Sequence, residues 1–172
     1  MSKVLWLDLE TTGLDPMRCS IIEVGAILTD NDFNVIDTVY TVIKGETSWH
    51  WEPKALDMHI ANRLYAECFS SETPLYACER WLIDLVEKNK GEGKVLLAGN
   101  SIHFDRRFIA HHMPFFDALL HYRMIDVSGM REALKIFKGV EDFGESGESP
   151  HRAMDDVRES IRLGKTILGM MK

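Results

Sequence analysis

Cysteine is scarce and poorly spaced for structural use: Cys19, Cys68 and Cys78 are the three in 172 residues. An odd count at those intervals matches neither a disulfide framework nor a zinc site, so they read as free thiols in a reducing compartment. Long apolar runs are missing too. No stretch approaches the ~18 residues that a membrane-spanning helix needs, and acids occupy positions 8 and 10, where an export signal would be apolar. A cytoplasmic location without a membrane partner is the default expectation. Basic charge is also in deficit, with 20 Lys and Arg against 27 Asp and Glu and a net charge of −7. Proteins that hold long nucleic acids by their phosphates carry a basic stripe. This chain therefore either binds no nucleic acid or binds it locally, with metal ions and a few arginines supplying the positive charge. Low complexity is confined to residues 139–150, whose glycines, serines and acids read as a mobile surface loop.

What is present suits one α/β domain covering residues 1–172, with 45% hydrophobic residues, enough to build a full core. Residues 4–10 read as a first strand, 19–29 and 33–43 as two more joined by a short turn, and 95–98 as a strand covered on both faces. Residues 124–127 supply a fifth. Helices are expected over 54–61, from Thr73 as N-cap and Pro74 onward with Leu75, Cys78, Trp81, Leu82, Leu85 and Val86 facing inward, and over 104–112. A further turn or two is expected over 115–120. Ser128 can cap a helix through Met130, Leu134 and Phe137, and a last helix runs from Arg152. The sum is a mixed sheet of about five strands flanked by helices.

Chemistry concentrates where strands and loops pass into helices. Alternation along the first strand puts Asp8 and Glu10 on one face. Two such anions among Val, Leu and Trp repel each other and resist desolvation, which points to a divalent cation between them; the plain alternative is a solvated strand end. Asp105 follows the covered strand within seven residues, near the sheet end where open α/β folds place ligands, although alone it reads as a first-turn helix acid. His151 precedes a helix that carries Asp155 and Asp156. If His151 were helical, Asp156 would be turned away from it by ~140°; with His151 in the loop that objection goes.

Three segments, Asp8-Leu9-Glu10-Thr11-Thr12-Gly13-Leu14-Asp15-Pro16, Gly99-Asn100-Ser101-Ile102-His103-Phe104-Asp105-Arg106-Arg107-Phe108 and His151-Arg152-Ala153-Met154-Asp155-Asp156-Val157-Arg158-Glu159-Ser160, resemble in order the three motifs of the DEDD exonucleases, the histidine-containing branch. Within that branch the likeness is greatest to the oligoribonucleases, which degrade very short RNAs. It runs from about residue 6 to residue 161. The resemblance implies a ribonuclease H-like fold, with three antiparallel strands followed by two parallel ones. It also implies that Asp8, Glu10, Asp105 and Asp156 bind two Mg²⁺ or Mn²⁺ ions and that His151 is the general base. Hard oxygen ligands suit these ions, and an imidazole suits proton transfer near neutral pH.

The same resemblance assigns Leu14 as a wedge between the last two bases and Asn100, His59 and Leu64 to the substrate pocket. It assigns Tyr122, Arg123 and Ser128 to a cap on the 5′-phosphate that a partner subunit contributes, hence a homodimer. Asp155 is left as a helix-surface acid. Two departures stand out: Lys54 where the oligoribonucleases have tryptophan, in a loop that carries Trp49 and Trp51, and Thr11 in place of the usual methionine. The expected activity is 3′-to-5′ hydrolysis of short single-stranded oligoribonucleotides to 5′-mononucleotides. The rivals are a related exonuclease acting on DNA or longer RNA ends and a catalytically silent nucleic-acid-binding module.

Overall fold

A computed structural model describes residues 3–89, 94–144 and 151–171. One mixed sheet has the order β3-β2-β1-β4-β5. It is built from β1 (Val4–Thr11), β2 (Ile21–Thr29), β3 (Val35–Val42), β4 (Val95–Gly99) and β5 (Leu120–Asp126). β1, β2 and β3 are antiparallel neighbours, while β4 lies parallel to β1 and β5 parallel to β4, as the resemblance implied. Helices α1 (Pro53–Ala61), α2 (Leu64–Ser70), α3 (Leu75–Asn89), α4 (Ile102–His112), α5 (Pro114–Asp117), α6 (Val127–Lys138) and α7 (Ala153–Met170) complete the order.

The sheet is covered on both faces. Leu5, Leu7 and Leu9 of β1 pack with Leu82, Leu85 and Val86 of α3 and Phe108 of α4. Trp6, on the opposite face, packs with Val127 and Leu134 of α6 and Val157, Leu163 and Ile167 of α7. The alternation of β1 thus divides its apolar residues between two cores. All three cysteines are buried and free, and burial pushes the Cys68 and Cys78 thiols up to about 12, so neither is a thiolate near neutral pH. Among the described residues no helix is long and apolar enough to cross a membrane.

Several boundaries differ from the sequence expectation. Helix α2 has no counterpart in the sequence pattern: it starts after Arg63 in the left-handed region (φ 69°), which makes no side-chain cap, and the Leu64 N–H is taken instead by Asn62 Oδ1 at 3.1 Å. Phe33 is likewise left-handed (φ 64°), so β3 begins at Val35 rather than at residue 33. Helix α3 begins at Leu75, and Trp81 is 45% exposed rather than inward, because the buried stripe runs Cys78, Leu82, Leu85 and Val86. The expected turns over 115–120 shrink to α5, since Leu120 already pairs with Val95 and opens a longer β5. Asp126, not Ser128, caps α6 by accepting the Gly129 N–H. Of the low-complexity stretch, Phe143 is buried against the α7 face, whereas residues 145–150 lie outside the described residues.

Candidate active site

Two close approaches bring the acids of three segments together. β4 pairs with β1 only from Val4 to Trp6, and at Gly99 a side chain would sit 2.7 Å from the Leu7 carbonyl, so the chain there must be glycine as it leaves the sheet. Beyond Trp6 the free edge of β1 is met by α4, and Asp105 Oδ1 accepts the Leu9 N–H at 2.9 Å. Asp105 thus reaches the backbone between Asp8 and Glu10. On the other side, Asp8 lies opposite Gly25 in the β1–β2 register, and a Cβ at Gly25 would come within 2.8 Å of the Ala153 and Met154 backbone. The missing side chain lets the first turn of α7 rest on β2, which carries Asp156 toward β1. Glu10, His151 and Asp156 each present one donor atom, and these three atoms lie within 4.8 Å of one another. Asp155 is exposed and pairs instead with Arg158 at 3.2 Å.

So many anions in one place resist ionisation. Burial, and then repulsion from Asp105, Glu10, Asp156 and Glu23, holds the Asp8 carboxyl well above the usual range. Burial first, then Asp156, Glu23 and Asp105, pushes Glu10 up to about 8, with Arg152 acting in the opposite direction. Asp105 is raised as well, chiefly by burial and against the backbone hydrogen bonds it accepts. Carboxylates assembled at the expense of their own ionisation make a donor set that a hard divalent cation fits.

Beside the cluster, Leu9, Glu10, Thr11, Gly13, Leu14, Glu52, Lys54, Ala55, Met58 and Phe104 line a mainly apolar cavity of about 240 Å³. Leu14 is 67% exposed at its rim. Arg107 fixes that rim by donating to the Leu14 carbonyl at 2.9 Å while its guanidinium lies over the Phe104 ring. Lys54 forms part of the wall. His59 and Leu64 do not line it. His59 is fully buried behind Glu10, its Nε2 3.2 Å from the Thr11 carbonyl and 3.6 Å from Glu10 Oε2, and burial lowers its pKa. Leu64 is packed with Ile22 and Cys68. Trp51 meets His59 edge-on and Tyr65 at a tilt, and it does not line the cavity either.

Asn100 and Ser128 meet beyond the end of β4, with Ser128 Oγ 3.4 Å from Asn100 Oδ1. Tyr122 and Arg123 stand apart on β5, an edge strand, exposed and in cation–π contact at 5.1 Å. Sequence reasoning missed Glu23, which is fully buried opposite Glu10 in the register, and with it the ion-pair role of Arg152. The signal was available: one acid inside the otherwise apolar run Ile21-Ile22-Glu23-Val24-Gly25-Ala26-Ile27-Leu28 requires a buried partner.

Residues 5–163 match the model of the exonuclease family. The chain is similar to the oligoribonuclease of Mycobacterium ulcerans, 38% identical over 93% of this chain and 77% of that protein. It is also similar to the oligoribonuclease of Francisella tularensis, 36% identical over 92% and 89% of the two chains. Among solved structures, Escherichia coli exonuclease I in a metal-free complex with single-stranded DNA superposes with a TM-score of 0.75 at 18% identity. The match takes in 98% of this chain, which spans only 40% of that one. The nuclease domain of 3′hExo, a DEDDh family member bound to rAMP, superposes with a TM-score of 0.67 at 16% identity over 98% and 92% of the two chains. With its fold, its clustered acids and these relatives in agreement, the chain belongs to the exonuclease family, in the oligoribonuclease-like group of the DEDD nucleases.

Proposed function

We propose that the protein is a metal-dependent 3′-to-5′ exoribonuclease of the cytoplasm that shortens oligoribonucleotides of a few residues to 5′-mononucleotides. The observation that carries this reading is the convergence of acids from β1, α4 and α7, marked by the Asp105 bond to Leu9 and the Glu10–His151–Asp156 cluster. Asp8, Glu10, Asp105 and Asp156 would hold two Mg²⁺ or Mn²⁺ ions. Bound there, such ions supply water activation and charge stabilisation at the leaving 3′-oxygen. The chain's own groups do the rest. His151 accepts the proton of the attacking water, a role its place among the acids supports. The apolar cavity beside Glu10 takes a base, with Leu14 at its rim as the wedge. Asn100 and Ser128 line the path beyond β4.

A homodimer completes the site on this reading. Tyr122, Arg123 and the edge strand that carries them are exposed in one chain, where Arg123 suits a partner's terminal 5′-phosphate. A net charge of −7 makes each additional phosphate unwelcome, so preference for short chains follows from charge as well as from the cap. Lys54 in the cavity wall favours a second reading, in which the pocket admits longer RNA or DNA ends. The test is kcat/KM on 5′-phosphorylated RNAs of two, five, ten and twenty nucleotides and on matched DNAs. Efficiency that falls with length and with loss of the 2′-hydroxyl supports the first reading; a flat profile, or equal use of DNA, selects the second.

A further inference from the structure

His151 is held in an unusual way. Its backbone is in the left-handed region, with φ 51°, a conformation uncommon for a residue with a side chain. Two devices enforce it. Asn62 donates to the His151 carbonyl at 2.8 Å. The next residue, Arg152, is fixed on all sides. Its Nε and Nη2 donate to Glu23 Oε1 at 3.0 and 2.8 Å, and its Nη1 and Nη2 donate side by side to the two oxygens of Glu67 at 3.1 and 2.6 Å. Nη2 also lies 3.0 Å from the Tyr40 hydroxyl, which donates to Glu23 at 2.7 Å. The remaining oxygen of Glu23 accepts the Ala153 N–H at 2.8 Å, satisfying an open donor at the start of α7. The Arg152 carbonyl in turn accepts the N–H groups of Asp155 and Asp156, both at 3.0 Å.

We propose that Arg152, clamped between Glu23 and Glu67, is a positioning residue that sets the His151 imidazole over the acidic cluster. The inference rests on the reading of His151 as general base. A planar guanidinium grips Glu23 through Nε and Nη2 and Glu67 through Nη1 and Nη2, a forked geometry that the single ammonium of a lysine of equal charge does not reproduce. Arg152 thus ties one β2 acid and one α2 acid to the residue beside the base, so that the direction of the imidazole is decided by the sheet. The pair also keeps the buried Glu23 charge compensated behind Glu10, which an uncharged substitution would not.

Arg152→Lys retains the charge and removes the fork; Glu67→Gln, at a half-exposed position, is the gentler second variant. Each is compared with wild type in Mn²⁺ on a short 5′-phosphorylated RNA, alone and combined with His151→Ala. Arg152→Lys should lower kcat about 10-fold or more, and Glu67→Gln by a smaller factor in the same direction, with KM and the Mn²⁺ concentration for half-maximal rate changed less than about threefold. In the His151→Ala background neither should slow the enzyme further, because the group that they position is gone. Losses that multiply with His151→Ala, or a kcat that both variants leave intact, overturn the positioning role. Should Arg152→Lys fail to fold, the Glu67→Gln cycle decides by the same criteria. If His151→Ala itself retained wild-type kcat, the reading of His151 as base would be the one to fall, and the positioning proposal with it.

Discussion

Freed of metal, the protein should lose stability as pH rises, the reverse of what a salt-bridged carboxylate produces. Glu10 is pushed to about 8, chiefly by burial and then by its acidic neighbours. Between its usual pKa and about 8 the folded chain keeps a proton that the unfolded chain has released. The unfolding free energy therefore falls as pH climbs through that window. Each pH unit is worth up to ~1.4 kcal/mol per group. From pH 6.5 to pH 8 Glu10 alone then removes roughly 2 kcal/mol, and Asp8 and Asp105, displaced in the same direction, deepen the loss. Below about pH 6.5 the buried His59 and the half-buried His112, whose pKa values desolvation lowers, pull the opposite way, so the upper window is the informative one. A domain of this size moves ~2–4 °C per kcal/mol. Thermal unfolding in chelator should accordingly show Tm falling by roughly 4–8 °C or more between pH 6.5 and 8. Added Mn²⁺ should raise Tm by an amount that grows with pH, since the ion displaces protons. Glu10→Gln should melt above wild type in chelator at pH 8 and gain little from Mn²⁺. A wild-type Tm in chelator that climbs across this window, or a Glu10→Gln variant that melts lower there, would refute the electrostatic reasoning.

Asp8→Asn, Asp105→Asn and Asp156→Asn should each abolish hydrolysis with circular dichroism unchanged, whereas Asp155→Asn, which gives up only an exposed bond to Arg158, should keep nearly full activity. His151→Ala should lower kcat by about 10² while affinity for a short RNA, measured by fluorescence anisotropy, changes little. Mixed dimers of Asp8→Asn and Arg123→Ala subunits should regain part of the activity that neither parent has, since one of their two sites is whole; an active monomer in sedimentation rules out the shared site.

Much of this architecture is legible in the sequence because local pattern and global fold agree. β1 announces itself through Val, Leu and Trp with acids alternating among them, and the same alternation that splits its apolar side chains between two cores aims Asp8 and Glu10 together. The pairing of Asp8 with Glu10 is legible from strand alternation alone, whereas Asp105, Asp156 and His151 join them only through the resemblance of three separated segments to a family's motifs. What escaped depends on contacts between distant segments. Helix α2 opens at a left-handed arginine that makes no side-chain cap, and is held by burial of Leu64 and Cys68 against Ile22. Both Asp126 and Ser128 are good caps, and the structure uses Asp126, because the Ser128 hydroxyl is taken up by Ser101 and Asn100 across from β4. The edge strand β5 is mostly exposed and so shows little alternation to mark its start at Leu120. His59 and Leu64 carry no local sign of whether they face a pocket or the core behind it. Glu23 gave a signal, yet its partner is 129 positions away.

The most direct test of the central claim is the product pattern from a five-nucleotide RNA labelled at its 5′ end, incubated with the wild-type protein in Mn²⁺ and in chelator. A metal-dependent 3′-to-5′ exoribonuclease should shorten it stepwise from the 3′ end and release 5′-mononucleotides, with no reaction in chelator or with Asp156→Asn. Internal cuts, nucleoside 3′-phosphates among the products, or undiminished cleavage in chelator would contradict that claim.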